Sequence, residues 1–171
     1  IHDVRTRDDL QSIEGPGGAL EAFERARDDG RCTFIGVSGH EDPSVLTYAV
    51  EHWPVDTVLL PVNPIEGILG GFLDTTLPAA RDRGIAVIGM KVLGAGYYID
   101  RNAGIPPELL IRYALSQEID VIIVGCSHPD EVKTLAAAAR GFKPLPEVEQ
   151  HELLDRYRPY VQQMAFYRRV L

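Results

Sequence analysis

The stretch Ile85-Ala86-Val87-Ile88-Gly89-Met90-Lys91-Val92-Leu93-Gly94-Ala95-Gly96 decides the fold class. Its first half is a continuous apolar run of strand length, with no alternation of polar residues. Such a run marks a strand buried on both faces, as in a parallel sheet. It ends on a lysine and two glycines, which break the strand into a turn. Working outward, the same pattern recurs on both sides. Thr33-Phe34-Ile35-Gly36-Val37-Ser38 and Asp56-Thr57-Val58-Leu59-Leu60-Pro61-Val62 precede it, and Asp120-Val121-Ile122-Ile123-Val124-Gly125 follows. The opening Ile1-His2-Asp3-Val4 reads as a further strand, with no lead-in, as though the chain began inside an element.

Helix-period segments lie between these runs. Ala19, Leu20, Phe23 and Ala26 share one face of a helix over Gly18–Asp28, which Gly30 is placed to end. Asp42 and Pro43 cap and open a second helix through Val45, Leu46, Ala49 and Val50. A glycine-rich loop (Gly67, Gly70, Gly71) leads into a helix over Leu73–Arg83, where Pro78 predicts a kink or a late start. Pro106-Pro107 opens Glu108–Gln117, and Pro129-Asp130 opens a helix through the alanines to Arg140. Strand starts near residues 1, 33, 56, 85 and 120 give β-α units of about 30 residues each.

The fold class is therefore α/β with five parallel strands. Two architectures fit: an open doubly wound sheet, or part of a (β/α)8 barrel. A complete barrel usually takes about 250 residues, against 171 here. We expect residues 1–146 to form the strand-and-helix body. Residues 147–171 should form a helical tail, broken near Pro159 and packed on the same domain.

Composition narrows the function. The net charge of −8 argues against a nucleic-acid or anionic-membrane partner. No apolar stretch approaches the roughly 20 residues of a transmembrane helix. Cys32 and Cys126 lie far apart with no metal-binding spacing and no secretory signal ahead of them, so a reducing cytoplasm is the expected setting.

In either architecture, chemistry sits at the carboxyl ends of the strands. Those ends read His2-Asp3, Ser38-Gly39-His40, Asn63-Pro64, Met90 through Gly96, and Gly125-Cys126-Ser127-His128. Polar residues and glycines at five successive strand ends are what functional loops on a rigid scaffold produce. Each residue also has a plain reading. His2 can bond to backbone, Ser38 can cap a helix, and Asn63 can make an Asx turn before Pro64. Gly94 and Gly96 can simply permit a tight loop. Lys91 ends an apolar strand and needs either an interior ion pair or a mouth facing an anion. Cys126 reads as a packed thiol rather than a nucleophile, since no basic partner is near it in sequence.

Taken in order, these motifs resemble the carboxyl-terminal portion of the aldo/keto reductases, NAD(P)-dependent oxidoreductases built on a (β/α)8 barrel. The resemblance runs over nearly the whole chain, starting at the barrel's fourth strand. Ile1-His2 looks like the segment with the active-site histidine, which makes His2 the catalytic candidate. Gly36-Val37-Ser38-Gly39-His40 looks like the fifth-strand motif that holds the nicotinamide carboxamide, and Asp56–Asn63 like the sixth strand serving the same amide. Gly89–Gly96 looks like the seventh strand and its pyrophosphate loop, and Val124–Pro129 like the eighth, beside the adenosine phosphate. The resemblance thus implies NADP or NAD as cofactor, held by Ser38, Gly39, Asn63, Met90, Lys91, Leu93, Gly94, Gly96, Gly125, Cys126 and Glu131. It implies a small carbonyl or alcohol as substrate and no metal.

The departures are specific. The family's catalytic aspartate, tyrosine and lysine have no counterpart here. Its sixth-strand glutamine aligns with Leu59, its stacking aromatic with Met90, and its fifth-strand asparagine with Gly39. Glu131 stands approximately where an arginine pairs with the 2′-phosphate of NADP. The expected function is hydride transfer in a completed barrel, with the 171 residues alone inactive. The alternative is a nucleotide-binding or assembly module without turnover. Unpaired edges at Ile1–Val4 and Val121–Val124 would call for a missing N-terminal segment or for self-association.

Overall fold

The computed structural model describes residues 1–169; Val170 and Leu171, the end of the expected tail, lie outside the described residues. Four parallel strands, β1 (Gly36–Ser38), β2 (Thr57–Pro61), β3 (Ala86–Met90) and β4 (Val121–Ile122), form one sheet in the order β1-β2-β3-β4. Val37 lies opposite Val58 in the first pair, and Ile88 opposite Val121 in the last. Helices alternate with the strands, as the sequence pattern requires. Among the described residues, no helix is long and apolar enough to cross a membrane.

The chain divides into two compact units. One comprises Ile1–Leu60, Gly71–Val87 and the described chain from Tyr167; the other comprises Pro61–Gly70 and Ile88–Phe166.

In the first unit, α1 (Arg7–Glu14), α2 (Ala19–Asp28) and α3 (Pro43–His52) accompany β1. Asp42 caps α3 by accepting from the Ser44 amide at 2.8 Å, and Val45, Leu46, Ala49 and Val50 are buried as predicted. Helix α1 is an addition to the sequence reading. The Thr6 hydroxyl accepts from the Asp9 amide while the Asp9 carboxylate accepts from the Thr6 amide, a reciprocal cap. Trp53 Nε1 then donates to Glu14 at 2.9 Å, tying the end of α3 to the end of α1. A wide π turn over Phe72–Thr76 passes into α5 (Leu77–Asp82), with Pro78 in its first turn; this is the late start that the proline predicts.

The expected first strand shrinks to one rung. Ile1 donates to Gly36 O at 2.6 Å and Ser38 donates to Ile1 O at 2.9 Å, the paired bonds of a parallel ladder about Val37. Asp3 then takes φ +60°, turning the chain so that Val4 is buried and donates to Ser38 O. Four strands plus this rung stand where five strands were expected.

The second unit holds α4 (Pro64–Leu69), α6 (Pro107–Leu115), α7 (Pro129–Arg140), α8 (Glu147–Tyr157) and α9 (Val161–Met164). Gly67, expected in a loop, lies inside α4. A Cβ there would sit 2.2 Å from the Tyr113 hydroxyl and 3.0 Å from Leu154, so the glycine serves close helix packing. The tail breaks at a 3-10 turn over Arg158–Tyr160, around Pro159. Tyr157 Oη donates to Tyr98 O at 2.5 Å, and Tyr98 Oη to Met164 O at 2.9 Å, which fastens the tail within its unit. Strand β4 is shorter than the expected run over residues 120–125. It is two residues long, and Val121 and Ile123, within the segment expected to form an open edge, are each 50% exposed. It ends the sheet order, so nothing pairs with its outer edge among the described residues.

Candidate functional site

At the end of β1, within the first unit, Asp3, Ser38 and His40 come together. The left-handed backbone of Asp3 aims its amide at Ser38 Oγ, 2.8 Å away, and its carboxylate Oδ1 lies 3.1 Å from His40 Nε2. His40 also meets the edge of Tyr167, with ring centroids 6.2 Å apart. His2 points outward and is exposed. Gly39 donates to Leu59 O, and a Cβ on it would stand 2.8 Å from Val4 O and 3.3 Å from Leu46. No side chain fits there unless a neighbour moves, which explains the glycine at position 39.

In the second unit, the segment after β3 and the start of α7 enclose a cavity of about 850 Å³. Met90, Lys91, Leu93, Gly94, Gly96, Gly125, Cys126 and Glu131 all line it. Asn63 does not line it but supports it. Asn63 is fully buried; its Oδ1 caps α4 by accepting from the Ile65 and Glu66 amides at 3.0 and 3.1 Å. Its Nδ2 donates to Lys91 O at 3.2 Å, holding the strand-end turn in which Lys91 takes φ +57°.

The loop after β3 is a tight 3-10 turn over Gly94–Gly96. The amides of Gly94, Gly96 and Tyr97 donate to Lys91 O, Leu93 O and Gly94 O. Gly94 is needed there, since a Cβ would fall 2.5 Å from the Tyr98 ring, whereas Gly96 and Gly125 face open space. Cys126, read from sequence as a packed thiol, is exposed on the cavity wall instead; both cysteines are free. Glu131 spans the start of α7, accepting from the Ser127 amide at 2.5 Å and the His128 amide at 3.1 Å. Those two bonds hold its carboxyl below the usual glutamate range.

No protein-family profile matches the sequence, and no curated protein matches it. Solved structures do. The holo form of aldo-keto reductase AKR11C1 from Bacillus halodurans superposes with a TM-score of 0.68 and 17% identity, over 90% of this chain and 56% of that one. The apo form gives 0.66 and 17%, over 90% and 59%. The thermostable aldo-keto reductase Tm1743, in complex with the inhibitor epalrestat, gives 0.60 and 18%, over 83% and 55%.

This chain has the aldo-keto reductase fold. It is a partial (β/α)8 barrel, spanning between 55% and 59% of the length of these reductases.

Within that fold, the two units divide the candidate residues. His2, Ser38 and Gly39 belong to the first, and the other nine to the second. Sequence reasoning missed the Asp3–His40 pair, although the two residues flank His2 and Ser38 at adjacent strand ends. It also missed Arg101 and Thr134, which line the cavity. Arg101 had no local signal, because it lies in a loop closed by the Asp100–Ile105 bridge. Thr134 is one turn beyond Glu131 on α7, where helical spacing points to the cavity wall.

Proposed function

We propose that the chain is the cofactor-holding part of an oxidoreductase of the aldo-keto reductase type. NADP or NAD occupies the cavity between the β3 loop and α7, and a small carbonyl or alcohol is the reacting partner. One observation carries this reading: eight residues singled out from sequence alone line a single cavity of about 850 Å³, a size usual for ligand sites.

The residues suit a dinucleotide. Lys91 and Arg101 supply positive charge for phosphates. The loop amides of Gly94, Gly96 and Tyr97 are engaged by the loop's own carbonyls, so these side chains carry the anion. Open space beside Gly96 and Gly125 lets a ligand reach the backbone. The holo form reported for the Bacillus halodurans reductase accords with a fold that takes a cofactor. When bound, the nicotinamide supplies the hydride chemistry, and the protein's share is binding, orientation and electrostatics. Ser38 Oγ accepts from Asp3 and offers its own proton to the carboxamide. His2, exposed at the strand end, orients the carbonyl oxygen.

The tyrosine acid of the family scheme, with its lysine and aspartate, has no counterpart in this sequence. The proposal for these residues alone is therefore binding without appreciable turnover. The exposed edge at Val121 and Ile123 favours completion by further strands or by a second copy.

Calorimetric titration tests the reading. The wild-type chain should bind NADH or NADPH, and Lys91→Ala should weaken binding about tenfold or more, the range of a charge-assisted bond. No binding of either nucleotide at millimolar concentration would overturn it.

A further inference from the structure

A second cavity, of about 320 Å³, lies wholly within the first unit, between α1, α3 and the π turn. Its walls follow from helical spacing. Arg7 and Leu10 stand one turn apart on α1, and Ser44, Thr47, Tyr48 and Glu51 keep the spacing of a single face of α3. Thr75 comes from the π turn over Phe72–Thr76; turns of this wide kind are rare and often fall at functional sites. The two helices are tied at their carboxyl ends, where Glu14 accepts from Tyr48 Oη at 3.3 Å and from Trp53 Nε1 at 2.9 Å.

The chemistry of the walls is mixed in a specific way. The floor is apolar, since Leu10 and Val45 are both buried. The rim carries one charge of each sign, Arg7 from α1 and Glu51 from α3. Both are exposed, and neither side chain has a partner among the described residues. Ser44 Oγ donates to Asp42 at 2.8 Å and Thr75 Oγ1 donates to Gly71 O, so both hydroxyls have spent their protons and present lone pairs. A simple anion would meet Glu51, and a simple cation would meet Arg7. A small molecule with both charges and an apolar body suits every wall.

We propose that this cavity is a second binding site, for a free amino acid with an apolar side chain. The carboxylate pairs with Arg7. The ammonium donates to Glu51 and to the hydroxyl oxygens of Ser44 and Thr75, and the side chain rests on Leu10 and Val45.

NMR titration of the full chain with L-leucine tests this, read at the amides of Leu10, Ser44 and Thr75. L-leucine should shift them with millimolar affinity. Isocaproate, which lacks the ammonium, and L-leucinamide, which lacks the carboxylate, should each bind about threefold more weakly or worse, as expected for exposed ion pairs. Arg7→Gln should reduce L-leucine to the affinity of L-leucinamide, and Glu51→Gln to that of isocaproate. Both residues are exposed, so the unperturbed remainder of each spectrum verifies the fold. No shift at these amides up to the solubility limit of L-leucine would overturn the proposal. Equal binding of either analogue, or undiminished binding of L-leucine to either variant, would also overturn it, because the paired charges would then play no part.

Discussion

The end of β1 and the cavity beside β3 are both strand ends rich in polar residues, yet they are built in opposite ways. Around Asp3, Ser38 and His40, polar groups face one another at hydrogen-bond distance, and Gly39 has no room for a side chain. Beside β3, glycines face open space and two cations line a cavity. The first arrangement fixes side-chain positions, and the second leaves volume for a ligand. A strand end can thus serve a site by rigidity or by vacancy, and composition alone does not tell which.

The contrast extends to packing, and here the largest effect is expected. Leu46 is wholly buried on α3, whereas Val121 on β4 is half exposed. Leu46→Ala should cost about 2–5 kcal/mol, the range for a buried leucine. Val121→Ala should stay within about 0.5 kcal/mol. Urea unfolding followed by the fluorescence of Trp53, the single tryptophan, reads the first. Far-UV circular dichroism reads the second. A large cost at Val121 would mean that the β4 edge is covered in solution, and the difference between the two regions would dissolve.

A second substitution probes the link between scaffold and vacancy. The Asn63 side chain accepts from two amides at the start of α4 and donates to Lys91 O. Asn63→Ala should cost about 1–3 kcal/mol, since it leaves buried amides unsatisfied. It should also weaken nucleotide binding although Asn63 does not line the cavity. Stability lost with binding unchanged would show that the Lys91 turn holds its shape without Asn63.

These cases show what the sequence could and could not reveal. Helix α3 was legible because Asp42-Pro43 is a local cap signal and its apolar residues keep helical spacing. The break at Pro159 and the late start at Pro78 were legible because proline acts on its immediate neighbours. Helix α1 was overlooked, although Thr6-x-x-Asp9 carries its own cap signal, because Leu10 is its sole buried residue. The open edge at Val121 and Ile123 was legible only from the count of strands and not from the run itself: an apolar run states a preference for burial, but not whether a neighbour exists to provide it. Gly67 misled for a related reason. Its role depends on Tyr113, 46 positions away in the chain, so the glycine read as a loop.

The smallest effect lies in the two carboxylates that cap helices, one in each unit. Asp9 at α1 and Glu131 at α7 each accept from two main-chain amides, and in each the carboxyl is held below its usual range by those bonds. A carboxyl more acidic in the folded state than in the unfolded one contributes stability that is full above its ordinary range. That contribution is lost as pH falls through the folded value, because the unfolded chain takes up the proton first. The stability gap between wild type and Glu131→Gln should therefore be flat from neutrality down to the ordinary glutamate range of about 4.3, and should close on further acidification. Asp9→Asn should behave the same way at α1. The two should be additive, because each cap acts on its own helix. Amide hydrogen exchange at Ser127 and His128 reads the α7 cap locally, where a global melt would blur it; α7 has no buried residue of its own, so its first turn depends heavily on this carboxylate. A gap that widened on acidification would mean that neighbouring acidic charge, led by Asp130, outweighs the two amide bonds. Glu131 would then be a strained anion instead of a fixed cap, and the first turn of α7 would owe its order to other contacts.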